Sequence, residues 1–142
     1  MKRRRLTVDM HHREIGAKRG RFVPRDVEEV FARIARTAGK PVFITEWSFI
    51  GQDAGLPCKK GCGQRLPTQR DRADAISLFL DVVNSRPYMI GSAFFMWTDD
   101  PEQGVSLADP EDCNYGLVNV ADEPYGLVTE AFRRAKSKGI TK

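Results

Sequence analysis

The stretch Lys40-Pro41-Val42-Phe43-Ile44-Thr45-Glu46-Trp47 decides the fold. Pro41 and Gly39 punctuate its start. Four apolar or β-branched residues follow, and an acid and an indole close the run. Such a short, continuous apolar run reads as a parallel strand covered on both faces. A second run, Met89-Ile90-Gly91-Ser92-Ala93-Phe94-Phe95-Met96-Trp97, has the same character and ends at Thr98-Asp99-Asp100. Between the two, Thr68-Gln69-Arg70-Asp71 resembles a capping box with Asp in place of Glu or Gln. It opens a helix expected to run to about Asn84, with Ala75, Ile76, Phe79, Leu80 and Val83 on one side. Upstream, Val27, Val30, Phe31, Ile34 and Ala38 share one helical face, which predicts a helix over 24–38. A last helix is expected over about 125–136.

Helix, strand, loop, helix, strand, loop, helix is the α/β rhythm, and it implies parallel strands joined by a right-handed crossover. Glu46 and Trp97 lie 51 positions apart. A (β/α)8 barrel spends roughly 31 residues per unit. The excess of about 20 residues is the stretch 47–67, which holds four glycines and two prolines without a period. It reads as a long insertion on the carboxyl side of the first strand, where parallel α/β folds place their ligands. The whole chain has 142 residues. A complete barrel needs about 250, so the expected architecture is an incomplete one.

Charge is unevenly placed. Residues 1–25 hold nine lysines and arginines against Asp9 and Glu14, whereas the net charge of the chain is only +4. The reading is a basic, poorly ordered leader over 1–23 and a folded domain over 24–142. A nucleic-acid arm is the rival reading, but no aromatic residue interleaves Lys2–Arg5 and no nucleic-acid motif follows. No nucleic-acid partner is expected. No apolar run approaches the ~20 residues of a membrane span, so no membrane partner is expected either. The leader lacks the apolar core of a secretory signal. Cys58, Cys62 and Cys113 leave free thiols or a loop disulfide open. A zinc site would want four ligands, commonly in paired spacings, and no metal or other cofactor is expected.

The chemistry gathers at the strand ends. Glu46 should stand at the rim of the sheet, beside Trp47. A carboxylate among aromatic rings suits a sugar, which offers both hydroxyl edges and apolar C–H faces. Such a carboxylate can attack an anomeric carbon; an ordinary surface or capping acid is the plainer reading. Trp97 is either a sugar platform or a core tryptophan. Asp99 and Asp100 either bind hydroxyls or cap the turn before Pro101.

These residues also carry a resemblance. Lys40–Phe49 resembles the seventh strand of the retaining glycosidases of clan A, which ends in the catalytic nucleophile. Asp53–Pro57 and Pro67–Ala73 resemble the segment that follows it in β-agarase-like enzymes of glycoside hydrolase family 50 and their relatives. Phe95–Pro101 is similar to their eighth strand. Asn114–Val120 and Glu123–Tyr125 resemble their closing stretch. The resemblance implies the C-terminal portion of a TIM barrel and a retaining hydrolysis of β-galactoside or agarose-like polysaccharide. It implies Glu46 as nucleophile, with Trp47, Trp97, Asp99, Asn114 and His12 near the substrate. His11 and His12 would belong to the frayed end of a sixth unit, Leu6–Ile15. The acid/base that the family carries after an Asn on its fourth strand has no Asn-Glu counterpart here. The expectation is therefore a chain inactive alone, with the missing N-terminal part of the barrel as a partner. A non-catalytic carbohydrate-binding or partner-completing module is the alternative.

Overall fold

The computed structural model describes residues 7–9, 17–18, 21–22, 24–108 and 110–137. The leader expected over 1–23 contributes three short strands: β1 (Thr7–Asp9), β2 (Ala17–Lys18) and β3 (Arg21–Phe22). Helix α1 (Pro24–Ala38) follows, then β4 (Val42–Trp47). The insertion contains β5 (Phe49–Gly51) and β6 (Gln64–Leu66). Helix α2 (Gln69–Ser85), β7 (Met89–Phe94) and α3 (Gly126–Ser137) complete the chain. The three expected helices and the first strand therefore stand where the sequence put them, whereas the second strand, expected to run to Trp97, ends at Phe94.

The principal sheet is parallel, in the order β1-β4-β7. Thr7 lies opposite Phe43, and Val42 opposite Met89. The stretch before α1 thus adds a strand to the sheet. β5 and β6 form a separate parallel pair, so the insertion is not the featureless loop that its composition suggested. Most of its Gly and Pro content falls in the connection between the two strands rather than marking an absence of pairing.

The expectation that both main strands are buried on both faces is corrected. Val42 and Ile44 are fully buried, but Phe43 is 40% exposed. On β7, Met89 is buried and Ile90 is 66% exposed. The core sits on one face of the sheet, where Val27 and Phe31 of α1, Ile76 and Phe79 of α2, and Val128 of α3 meet Val42 and Ile44. No described element covers the other face.

The core is built around two rings. Trp47 stacks on Phe79 with centroids 4.1 Å apart. Phe94 meets the indole edge-on at 5.0 Å, and Phe31 meets Phe79 edge-on at 6.1 Å. Both arrangements suit the ring quadrupole. The helix that brings Phe79 is set by its cap. Thr68 Oγ1 accepts the Asp71 amide, and the Asp71 carboxylate accepts the Thr68 amide. Asp therefore completes the box in place of Glu or Gln.

Phe79→Ala is expected to cost about 3–5 kcal/mol, because the ring is fully buried and holds Trp47 in place. Thr68→Ala should cost about 1 kcal/mol. Urea unfolding of the two variants beside the parent chain measures both.

Candidate functional site

Glu46 lies on the last turn of β4 before the strand ends at Trp47. Strict alternation from buried Val42 and Ile44 would send Glu46 into the core and Trp47 to the open side. The structure reverses this order. Trp47 is 2% exposed and Glu46 is half-buried. The pairing of β4 with β7 slips between Ile44 and Trp47, and that of β1 with β4 slips between Val8 and Asp9. Such irregularities re-aim side chains at strand ends. Here the slip turns the indole inward and takes Glu46 off the fully buried row. Asp9 of β1 stands in register with Glu46.

The segment that follows β7, the neighbour of β4, carries Trp97, 67% exposed. β4 and β7 are parallel, so both chains leave the sheet at the same end. The backbone fixes the segment closely: the Phe95 amide donates to the Trp47 carbonyl (2.9 Å), and the Trp97 carbonyl accepts the amides of Leu117 (2.8 Å) and Val118 (3.0 Å). The exposed Trp97 indole thus lies three residues beyond the end of β7, the strand that pairs with Glu46-bearing β4.

Three of the residues expected near a substrate are buried within the protein. The Trp47 ring is packed among Phe79, Phe94 and Phe49, which leaves no face for a sugar. Asp99 is 3% exposed, and its carboxylate accepts the Gly116 amide (2.6 Å), both Asn114 amide bonds and the Tyr125 hydroxyl (2.6 Å). Asn114 is 1% exposed, and its Oδ1 accepts from Gly51, Gln69 and Arg72. Buried carboxylates and amides persist only when so satisfied, and these two have been used up on the protein itself. His12 lies outside the described residues.

The centre of this network is Arg72, which the sequence presents only as one arginine within Pro67–Ala73. Its side chain is fully buried. Nε donates to the Phe49 carbonyl (2.7 Å). Nη2 donates to the carbonyls of Tyr115 (2.8 Å) and Gly116 (2.9 Å). Nη1 donates to Asn114 Oδ1 (3.0 Å) and Gln69 Oε1 (3.2 Å). Burial pushes the guanidinium down to about 10, opposed by the charge of Asp99 and then by Tyr125, whose ring lies 5.5 Å away. It remains charged at neutral pH. Burial, followed by the bond to Asp99, pushes the Tyr125 hydroxyl up. Tyr125 therefore stays a neutral donor to Asp99 across the physiological range.

The network is packed too tightly for larger residues. A Cβ at Gly51 would stand 2.2 Å from Gln69 Nε2, and one at Gly116 would stand 2.2 Å from the Val118 carbonyl oxygen. A cluster of Asp, Asn and Arg scattered over 42 positions has no periodic signal. Its trace in the sequence was the succession of polar residues and glycines in Asn114-Tyr115-Gly116.

The cysteines close the outer side. Cys58 is bonded to Cys113, and Cys62 is a half-exposed thiol outside that disulfide, its Sγ 3.8 Å from Glu111 Oε1. This settles the question that the sequence left between a loop disulfide and free thiols. The bond runs to the third cysteine rather than within Cys58–Cys62. The Tyr115 hydroxyl donates to the Cys62 carbonyl (2.8 Å) and accepts the Cys62 amide (2.9 Å). Among the described residues, no group of three or more His, Cys, Asp or Glu could hold a metal ion.

No family model matches the chain. It is 35% identical over 94 residues to β-agarase A of Vibrio sp. (strain JT0107), which covers 66% of this chain and 9% of that protein. It is 32% identical to β-agarase B of the same organism over 95 residues, 67% of this chain and 10% of that one. A solved exo-β-agarase matches with a TM-score of 0.69 and 26% identity, over 78% of this chain and 14% of the other. The chain thus spans about a tenth of the length of the curated relatives it matches.

Cys113→Ser and Cys58→Ser should each lower stability by about 2–4 kcal/mol, since the bond closes a loop across 55 positions. Cys62→Ser should change it little. Chemical unfolding with and without a reducing dithiol measures the difference. Over about two thirds of its length, then, this chain is homologous to β-agarases, and its α/β architecture is similar to part of a solved one.

Proposed function

We propose that this chain is a C-terminal portion of a (β/α)8 glycoside hydrolase barrel, with Glu46 as its nucleophile and Trp97 as a sugar platform. The observation that carries the reading is the coincidence of two things. The half-buried Glu46 and the exposed Trp97 leave the same end of adjacent parallel strands, in a chain homologous to β-agarases. The carboxyl end of parallel strands is where barrel enzymes do their chemistry. The uncovered sheet face with Phe43 and Ile90 fits the inside of a barrel whose remaining strands are not in this chain. The substrate class that this reading takes from its relatives is a β-galactoside or agarose-like polysaccharide.

Retaining hydrolysis needs two carboxyl groups about 5–5.5 Å apart, one ionised and one protonated. Glu46 would attack the anomeric carbon, and a second acid would protonate the departing oxygen and later activate water. The sequence offers no Asn-Glu motif for that second role. The chain alone is therefore proposed to bind a sugar and to hydrolyse it little or not at all. The missing N-terminal part of the barrel, supplied as a partner, would complete the site. With Asp99 and Asn114 committed to the buried network, Trp97 is the remaining wall residue from the original set within the described residues.

The purified chain should bind agaro-oligosaccharides weakly and turn over aryl β-galactosides at a trace rate that Glu46→Gln abolishes. Trp97→Ala should weaken binding by about tenfold, on the scale of one lost stacking contact. Strong turnover removed by Glu46→Gln would refute the incomplete site while supporting the nucleophile. Turnover indifferent to that change would refute both. Binding that survives Glu46→Ala but not Trp97→Ala, with no turnover at all, would favour the non-catalytic binding module.

A further inference from the structure

We propose that Arg72 is a positioning residue that fixes the Trp97 segment against the strand end carrying Glu46. Its relevance to sugar binding rests on the reading above; its mechanical role does not. The argument is one of connectivity. Arg72 grips the Phe49 carbonyl, three residues beyond Glu46, with Nε. With Nη2 it grips the adjacent carbonyls of Tyr115 and Gly116. The Tyr115 carbonyl also accepts the Met96 amide, and the next two amides, Leu117 and Val118, donate to the Trp97 carbonyl. One rigid guanidinium plane therefore links the segment that follows Glu46 to the segment that pairs with Met96 and Trp97.

The remaining donors lock the plane itself. Nη1 meets Asn114 Oδ1, and Asn114 Nδ2 donates to both oxygens of Asp99. The amide lies between the buried cation and the buried anion with its dipole aligned to both. Asp99 in turn holds the Gly116 amide and the Tyr125 hydroxyl. A lysine could keep the charge, but its compact ammonium lacks the flat fork that spans the Phe49 and Tyr115–Gly116 carbonyls. The geometry calls for arginine in particular, and a purely electrostatic or space-filling role would not.

Arg72→Lys in the full chain tests this. The readouts are the indole NMR signals of Trp47 and Trp97, and hydrogen exchange at the Leu117 and Val118 amides. Ile76→Ala, a core substitution on the same helix, controls for lost stability. The expected result is a shifted or broadened Trp97 indole, an unmoved Trp47 indole, and exchange at Leu117 and Val118 faster by about tenfold or more than in the control. The dissociation constant for agaro-oligosaccharides should rise by about tenfold alongside. No change at Trp97, or an equal change in Ile76→Ala, overturns the proposal. If Arg72→Lys does not fold, Gln69→Leu decides in its place, because it removes only the Gln69 bonds to Arg72 and Asn114. A Trp97 shift in the same direction supports the role, and none overturns it. Should the parent chain bind no sugar, the sugar-site reading falls, and the indole and exchange data still decide the role of Arg72.

Discussion

One buried cation ties the outer half of this molecule to its core. Arg72 is charged and sealed from water. Burying an ion is costly unless its hydrogen bonds are made good. Here five acceptors from α2, β5 and the 114–116 segment meet the guanidinium, and Asp99 balances the charge through Asn114. Removing Asn114 would take a partner from both Arg72 and Asp99. The insertion, the cap of α2 and the stretch after β7 consequently hold together as one polar unit beside the apolar core.

A second constraint is the slip in strand pairing after Ile44. It exchanges the places that alternation gives to Glu46 and Trp47. The indole becomes the middle of an aromatic core, and the carboxylate comes to the rim. The site and the core are thus built by the same irregularity, and the stacking of Trp47 on Phe79 anchors it. The disulfide from Cys58 to Cys113 adds a covalent tie between the insertion and the residue just before Asn114.

Much of the frame was legible in the sequence. The helical faces of Val27–Ala38 and Ala75–Val83, the box opened by Thr68, and the two apolar strands are local patterns, and each appears in the structure where its pattern placed it, except that the second strand stops at Phe94 rather than at Trp97. What was not legible depends on pairs far apart in the chain. Alternation cannot foresee the slip that buries Trp47. Spacing cannot show that Cys58 seeks Cys113 over its near neighbour Cys62. Asp99 and Asn114 looked like residues for a sugar because they are polar residues at a strand end and in a closing stretch. Their real partners are a fully buried arginine and a tyrosine that no periodicity singles out. Both main strands read as doubly covered, but the helices lie on one face only among the described residues, and the other stays open.

The role of Glu46 is the claim on which the functional account turns. A 2-deoxy-2-fluoro-β-galactoside with a dinitrophenolate leaving group tests it directly, because that leaving group departs without a proton from an acid/base residue. The account predicts slow accumulation of one fluoroglycosyl unit, recovered by peptide mass spectrometry on Glu46 and missing in Glu46→Gln. No adduct after prolonged incubation, or an adduct on another residue that persists in Glu46→Gln, would contradict it.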